Sequence, residues 1–321
     1  HDFFLNETLL EVVNSFKYLG IHLFKNGHIN RTQKKIAQHT AYSLHNLFIV
    51  FNQIELNIKD KCKLFDSLVA SVLNYGAELL GTYECKDIEH IHCKFLRKIL
   101  CVKKCTNLSG LYGETGRYTM HIRRKIIMFK YWLKLLKLND NCLLKSIYNM
   151  QKEDADNNIT YKGLNWASVI KKYLCEMGLQ YMWMQQNDIE INYHLIKNRI
   201  IDNFKQSWYS NINNSSKLSS YCTYKHEFEY EKYLDHISDN KLRISLTKFR
   251  LSSHNLEIEN GRYDNIPREE RFCKNCSMKA VETEYHFLLV CPKYISLRRQ
   301  YFKSYFCRWP TLQKFENIMN S

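Results

Sequence analysis

Apolar positions in the first thirty residues fall in short runs broken by asparagine, with no helical spacing. Phe3 to Leu5, Leu9 to Val13 and Phe16 to Leu23 read as strands, and Asn26-Gly27 is a hairpin turn signal. From Arg31 to about Lys137 the period changes to three and four. In CKLFDSLVASVLNYG, Leu64, Leu68, Val72 and Tyr75 repeat on one face, and Asp60 stands where an N-cap belongs. IEHIHCKFLRKIL predicts a further helix. In HIRRKIIMFKYWLKLLKL, Ile122, Ile126, Phe129, Leu133 and Leu136 form an apolar stripe, with Arg123, Lys130, Lys134 and Lys137 in a row beside it and Arg124 next to that row. Such a row either solvates or meets phosphates.

Polar QKEDADNNITYKG (151–163) and NINNSSKLSS (211–220) read as loops and place the boundaries. Four regions follow: a β-hairpin over 1–30, a helical domain over 31–150, a helical connector over 151–240, and a C-terminal region over 241–321. No repeat stands out at solenoid periods.

Composition strengthens the helical expectation. Three Pro and 10 Gly in 321 residues leave few breakers, so the predicted fold class is mainly α, multi-helical, with a short N-terminal hairpin and a small C-terminal metal-binding knuckle. Lys and Arg number 47 against 32 Asp and Glu, a formal charge of +15. That surplus costs self-repulsion, which points to a polyanionic partner: nucleic acid first, an anionic membrane second. No apolar run approaches the ~20 residues that span a bilayer. HDFFLNETLL is not a signal peptide, and the first residue is not Met, so the expectation is a piece of a longer intracellular protein of nucleus and cytoplasm. Among the 12 cysteines, Cys62, Cys142, Cys175 and Cys222 read as small buried hydrophobes in a reducing compartment. Cys101 and Cys105, with His92 and Cys93 nearest, read as a helix flank, not a second metal site.

The chemistry concentrates in CKNCSMKAVETEYHFLLVC. Cys273, Cys276, His286 and Cys291 have the types and the Cys-x2-Cys pairing of a tetrahedral Zn2+ site, against the alternative of buried thiols and a satisfied histidine. His286 and Cys291 are five apart, which an α-helix would place on different faces. Pro292 biases Cys291 out of the α region, so the chain can turn back. Closed by four protein ligands, such a metal is structural. Around it stand Arg250, His254, Arg262, Arg268, Arg271, Lys274, Arg298 and Arg299, interleaved with aromatic residues. Cations track a phosphate backbone and rings stack on unpaired bases, though the same cations can solvate or pair with Glu269, Glu270, Glu282 and Glu284. GxxxxGK[ST], GxGxxG and GxSxG are missing, and Glu153-Asp154-Ala155-Asp156 lies in a predicted loop that would not fix two metal ions.

FKYLGI (16–21), SVLNYGAELLG (71–81), LYGETGRYTMHIRRKIIMFKYWLKL (111–135) and RFCKNCSMKAVETEYHFLLVCPKY (271–294) together resemble the C-terminal part of non-LTR (LINE-type) retrotransposon reverse transcriptases. The likeness spans nearly the whole chain and is weakest over 140–240. It implies a post-palm hairpin, a helical thumb, a helical connector and a CCHC zinc knuckle with a short helix after it. The family polymerises DNA on an RNA template through an Asp-Asp motif upstream of the YLG element, and no Asp-Asp pair occurs here. The resemblance therefore implies a nucleic-acid-binding portion without the polymerase active site, and so no enzyme by itself. Phe16, Tyr18, Leu19 and Gly20 would sit on the primer side, and the helix from His121 beside a template–primer duplex. Palm and fingers, RNA template and DNA target would be its partners, with no membrane. The competing expectation is a zinc-stabilised scaffold or partner-binding protein, a decayed or repurposed element copy.

Overall fold

A computed structural model describes residues 3–5, 8–25, 29–157, 159, 165–186 and 190–320. The fold is mainly α, with two small antiparallel hairpins at the start: Phe3–Leu5 with Thr8–Leu10, and Ser15–Tyr18 with Ile21–Phe24. Among the described residues no helix is long and apolar enough to cross a membrane. The chain forms two compact units, His1–His92 with Tyr118–Phe204, and Cys93–Arg117 with Lys205–Ser321. The units interleave along the sequence, so they do not follow the four consecutive regions expected from polar boundaries.

In the first unit the second hairpin turns at Leu19-Gly20, both left-handed with φ of 46° and 84°. Two positive φ values match the right-handed twist of paired strands, and Gly20 adopts its value without a Cβ penalty. Tyr75 Oη donates to Leu19 O at 2.5 Å and holds the less suited leucine there. The run Phe16 to Leu23, expected as one strand, is thus a complete hairpin; Asn26-Gly27 lies outside the described residues. The helix Ile29–Gln53 follows.

The next helix begins three residues before the expected cap. Asn57 is the N-cap and accepts from Asp60 N at 2.7 Å. Ile58, Cys62, Phe65, Val69 and Leu73 are buried, whereas Leu68 and Tyr75 are exposed. Phe65, Val69 and Leu73 each lie one position after the expected Leu64, Leu68 and Val72, so the helical period holds and the buried face is its neighbour; a π-helical segment occupies Asp66–Ala70. Met120–Leu136 carries the centre of the core: Met128, Phe129, Trp132 and Leu135 are buried against Trp166, Ile170, Leu174 and Trp183, with Ile126, Leu133 and Leu136 packed at the margin. Three buried polar groups of this core are partnered, as low local dielectric favours: Trp132 Nε1 donates to Tyr148 Oη at 2.8 Å, Tyr148 Oη to Gln186 Oε1 at 2.5 Å, and Trp166 Nε1 to Glu78 O at 3.0 Å. The segment 151–156, expected as loop, completes the helix Leu143–Asp156 because Ala155 buries. Asp156 accepts from Trp183 Nε1 at 2.7 Å and pairs with Lys171 and Lys152.

The second unit is built on a buried ion pair. Glu114, in the helix Leu108–Thr115, accepts from Arg250 Nε at 3.0 Å and Nη2 at 3.0 Å. Arg250 also meets Glu231 at 3.1 Å, donates from Nη1 to Met319 O at 2.6 Å, and lies between the rings of Tyr224 and Tyr233, 4.9 and 5.1 Å from their centroids. Burial opposes the charge, but Glu114 outweighs it and holds the Arg250 pKa well above its ordinary value. Gly116 ends the helix at φ 58°, where a Cβ would stand 2.5 Å from Tyr230 N. Of the cysteines expected to be buried, Cys62 is, Cys142 and Cys222 are half-buried, and Cys175 is exposed.

Two outcomes follow. Arg250→Ala leaves Glu114 as an uncompensated buried carboxylate and should cost ~3–5 kcal/mol in urea unfolding. His121, in the first turn of Met120–Leu136, has a buried, unpartnered Nδ1, and burial with Lys125 nearby lowers its pKa to about 4. The unfolded imidazole takes a proton below ~6.5 and the folded one does not, so stability should fall as pH drops between those values, by ~2–3 kcal/mol at pH 4.5. His121→Gln should flatten that fall when urea midpoints are compared at pH 7 and 4.5.

Candidate metal centre and cationic faces

Cys273, Cys276, His286 and Cys291 converge with their ligand atoms within 4.8 Å of one another, the only such group among the described residues able to hold a metal ion. Two local devices bring them together. Phe272 and Val281 form an antiparallel bridge, and Cys273 N donates to Ala280 O at 2.9 Å, so the intervening turn presents Cys273 and Cys276. His286–Val290 then forms a π-helical turn, with Cys291 N donating to His286 O at 2.7 Å, an i to i+5 bond. The wide turn brings residues five apart to one side. Cys291 itself is extended (φ −55°, ψ 121°), as the following proline favours.

Two of the spacings match those across one tetrahedral ion. Two sulfurs each ~2.3 Å from a metal stand ~3.8 Å apart, and a sulfur and an imidazole nitrogen ~3.6 Å. Cys273 Sγ and Cys291 Sγ are 3.9 Å apart, and Cys276 Sγ and His286 Nε2 3.5 Å. Burial, with Glu282 adding to it, pushes the Cys273 thiol up to about 12. Burial also lowers the His286 pKa, which keeps the imidazole in the neutral form that ligates metals. A cation at the centre reverses the thiol preference and stabilises thiolates. Glu282 accepts from Cys273 Sγ at 3.3 Å, Asn275 Nδ2 at 3.1 Å and Glu257 N at 2.8 Å, bracing the loop. Glu282 thus ties together two segments, one at Glu257 and one at Cys273 and Asn275.

Most cations expected to meet phosphates near this centre serve the protein instead. Arg250 is enclosed by the ion pair described above, and Arg298 is buried with Nη2 donating to Cys291 O. Neither presents a charge to an external anion. His254 Nε2 lies 2.9 Å from Glu284 Oε1, which also accepts from Ser252 Oγ at 2.9 Å. Arg262 pairs with Glu259 at 2.8 Å and donates to Ser216 O at 2.7 Å; Arg268 donates to Ser219 Oγ at 3.0 Å. Arg271 donates to Ile258 O and Ile266 O, each at 2.8 Å. Lys274 is exposed but pairs with Glu257 at 2.8 Å, while Arg299 is exposed. Of the glutamates expected as partners, Glu284 meets His254; Arg262 and Lys274 pair instead with Glu259 and Glu257, and Arg250 with Glu114 and Glu231 from distant stretches.

The first unit differs. Arg123 pairs with Asp66 at 2.7 Å, and Arg124 is buried, donating to Leu73 O. Lys130, Lys134 and Lys137 stay exposed and line one open groove of about 840 Å³ with Tyr131 and Tyr193. Phe16, Tyr18 and Leu19 are exposed on the hairpin. Gly20 lines a cavity of about 770 Å³ with Lys17, His22, Lys35 and His39, residues that isolated motifs did not single out.

With Cys276 or Cys291 replaced by Ser, one thiolate is lost and stoichiometric metal should be lost with it. Elemental analysis after dialysis checks this, and metal retained at one ion per chain by both variants would count against the four-ligand site. Chelation of the wild type should leave most far-UV helical signal, because the centre orders a small segment. No protein-family model, curated protein or solved structure matches this chain.

Proposed function

We propose that the chain is a nucleic-acid-binding protein whose Cys3His group holds structural Zn2+, and that it corresponds to the C-terminal part of a LINE-type reverse transcriptase, without the polymerase active site. The observation that carries the binding role is the groove of the first unit, where Lys130, Lys134 and Lys137 are exposed beside Tyr131 and Tyr193. Cations at helical spacing meet successive phosphates, and a chain at +15 gains most from a polyanion. Zinc suits three thiolates and one imidazole in a tetrahedron better than hard, oxygen-seeking ions do. Thiolate ligation also accords with a reducing intracellular setting, nucleus or cytoplasm.

Two contacts support the family assignment. Stretches that carry the resemblance touch: Tyr75 of SVLNYGAELLG donates to Leu19 of FKYLGI. LYGETG supplies Glu114 and Gly116, both of which the second unit requires. In this assignment the hairpin abuts the primer, the helix Met120–Leu136 lies along RNA template or DNA target, and palm and fingers are the protein partners. A second function, a zinc-stabilised scaffold, draws on the internal pairing of Arg250, Arg262, Arg271 and Arg298.

Salt titration separates the two. Binding to a labelled RNA–DNA hybrid should weaken steeply as salt rises. Lys134→Ala should lower affinity similarly for all sequences and reduce the log–log salt slope by about one. Binding insensitive to salt, or none, would leave the scaffold.

A further inference from the structure

Trp309 is 86% exposed, the most exposed large apolar side chain in the described residues. An indole left in water forgoes the stabilisation that burial gives, so a structure that holds one outward needs a reason. Its backbone is left-handed, φ 49°, uncommon for a bulky residue. Both neighbouring carbonyls are tied down. Lys314 Nζ donates to Arg308 O, and Tyr285 Oη donates to Pro310 O at 2.9 Å. Tyr285 precedes the ligand His286 and its ring packs 6.0 Å from Phe315, so the clamp is anchored in the metal-binding segment and the C-terminal helix Leu312–Asn320.

The surroundings are cationic. From Tyr285 to Phe315 the sequence has six Lys and Arg and no Asp or Glu. Arg299, Lys303 and Arg308 are exposed. Lys314 Nζ also donates to Tyr305 O at 2.8 Å and sits 4.4 Å from that ring's centroid, which places the half-exposed Tyr305 beside the same clamp.

We infer that Trp309, with Tyr305 and Arg308, is a stacking platform for an unpaired base of single-stranded nucleic acid. A free indole face is sequence-tolerant, since every base has a π-face, and neighbouring cations meet the phosphates. Duplex bases are covered by their neighbours and cannot use it. Ser304, Thr311 and Gln313 interrupt the apolar surface, which disfavours insertion into lipid. This site rests on the nucleic-acid-binding role proposed above, and it adds both the strand state recognised and the residue that recognises it.

Fluorescence anisotropy on the full zinc-loaded chain tests it, with a short fluorescein-labelled oligo(dT) and the matching duplex. Trp309→Ala should weaken oligo(dT) binding by roughly 5- to 150-fold and duplex binding less than about twofold. Trp309→Phe should recover most of the loss. An oligo(dT) affinity unchanged in Trp309→Ala, while wild type binds, overturns this site alone. Equal loss on both probes, or loss only on vesicles containing phosphatidylserine, also overturns it. Failure of wild type to bind any nucleic acid overturns the function proposed above and this site together.

Discussion

One buried guanidinium organises the second unit. Arg250 joins four stretches far apart in sequence: Glu114 in one helix, Glu231 and two tyrosine rings after it, its own helix Asn240–Arg250, and the end of the C-terminal helix at Met319. A buried charge is tolerated only when its partners are complete, so these segments can assemble in few ways. Four residues on, His254 continues the arrangement. It meets Glu284, two residues before His286, so the ion-pair network and the metal-binding segment are contiguous.

That contiguity explains why positive charge near the metal centre differs in use from positive charge on the helix Met120–Leu136. Around the centre, Arg271 and Arg298 donate to backbone carbonyls of loops with little apolar surface of their own. Guanidinium groups suit this task because several donors lie in one plane and can satisfy several oxygens. The lysines at 130, 134 and 137 are exposed instead and line an open groove.

The π-helical turn at His286–Val290 brings a histidine and a cysteine five apart onto one centre. It departs from the period on which sequence patterns depend, whereas the buried face through Phe65, Val69 and Leu73 keeps it.

The sequence by itself determined the helical class, through scarce Pro and Gly, and the four members of the Cys3His cluster able to hold a metal ion, through residue type and short spacing. Those features are local: breakers act on their own segment, and Cys-x2-Cys spans a single turn. The Leu19-Gly20 turn was legible only in its glycine, because leucine at a positive φ depends on Tyr75, over fifty residues away. Tertiary structure alone decided which cations face water. Arg124, Arg250 and Arg298 look like their exposed neighbours in the sequence, yet each is buried on oxygens supplied by other segments. A side chain's charge is local, but what neutralises it is set by packing, and packing joins residues that the sequence keeps apart.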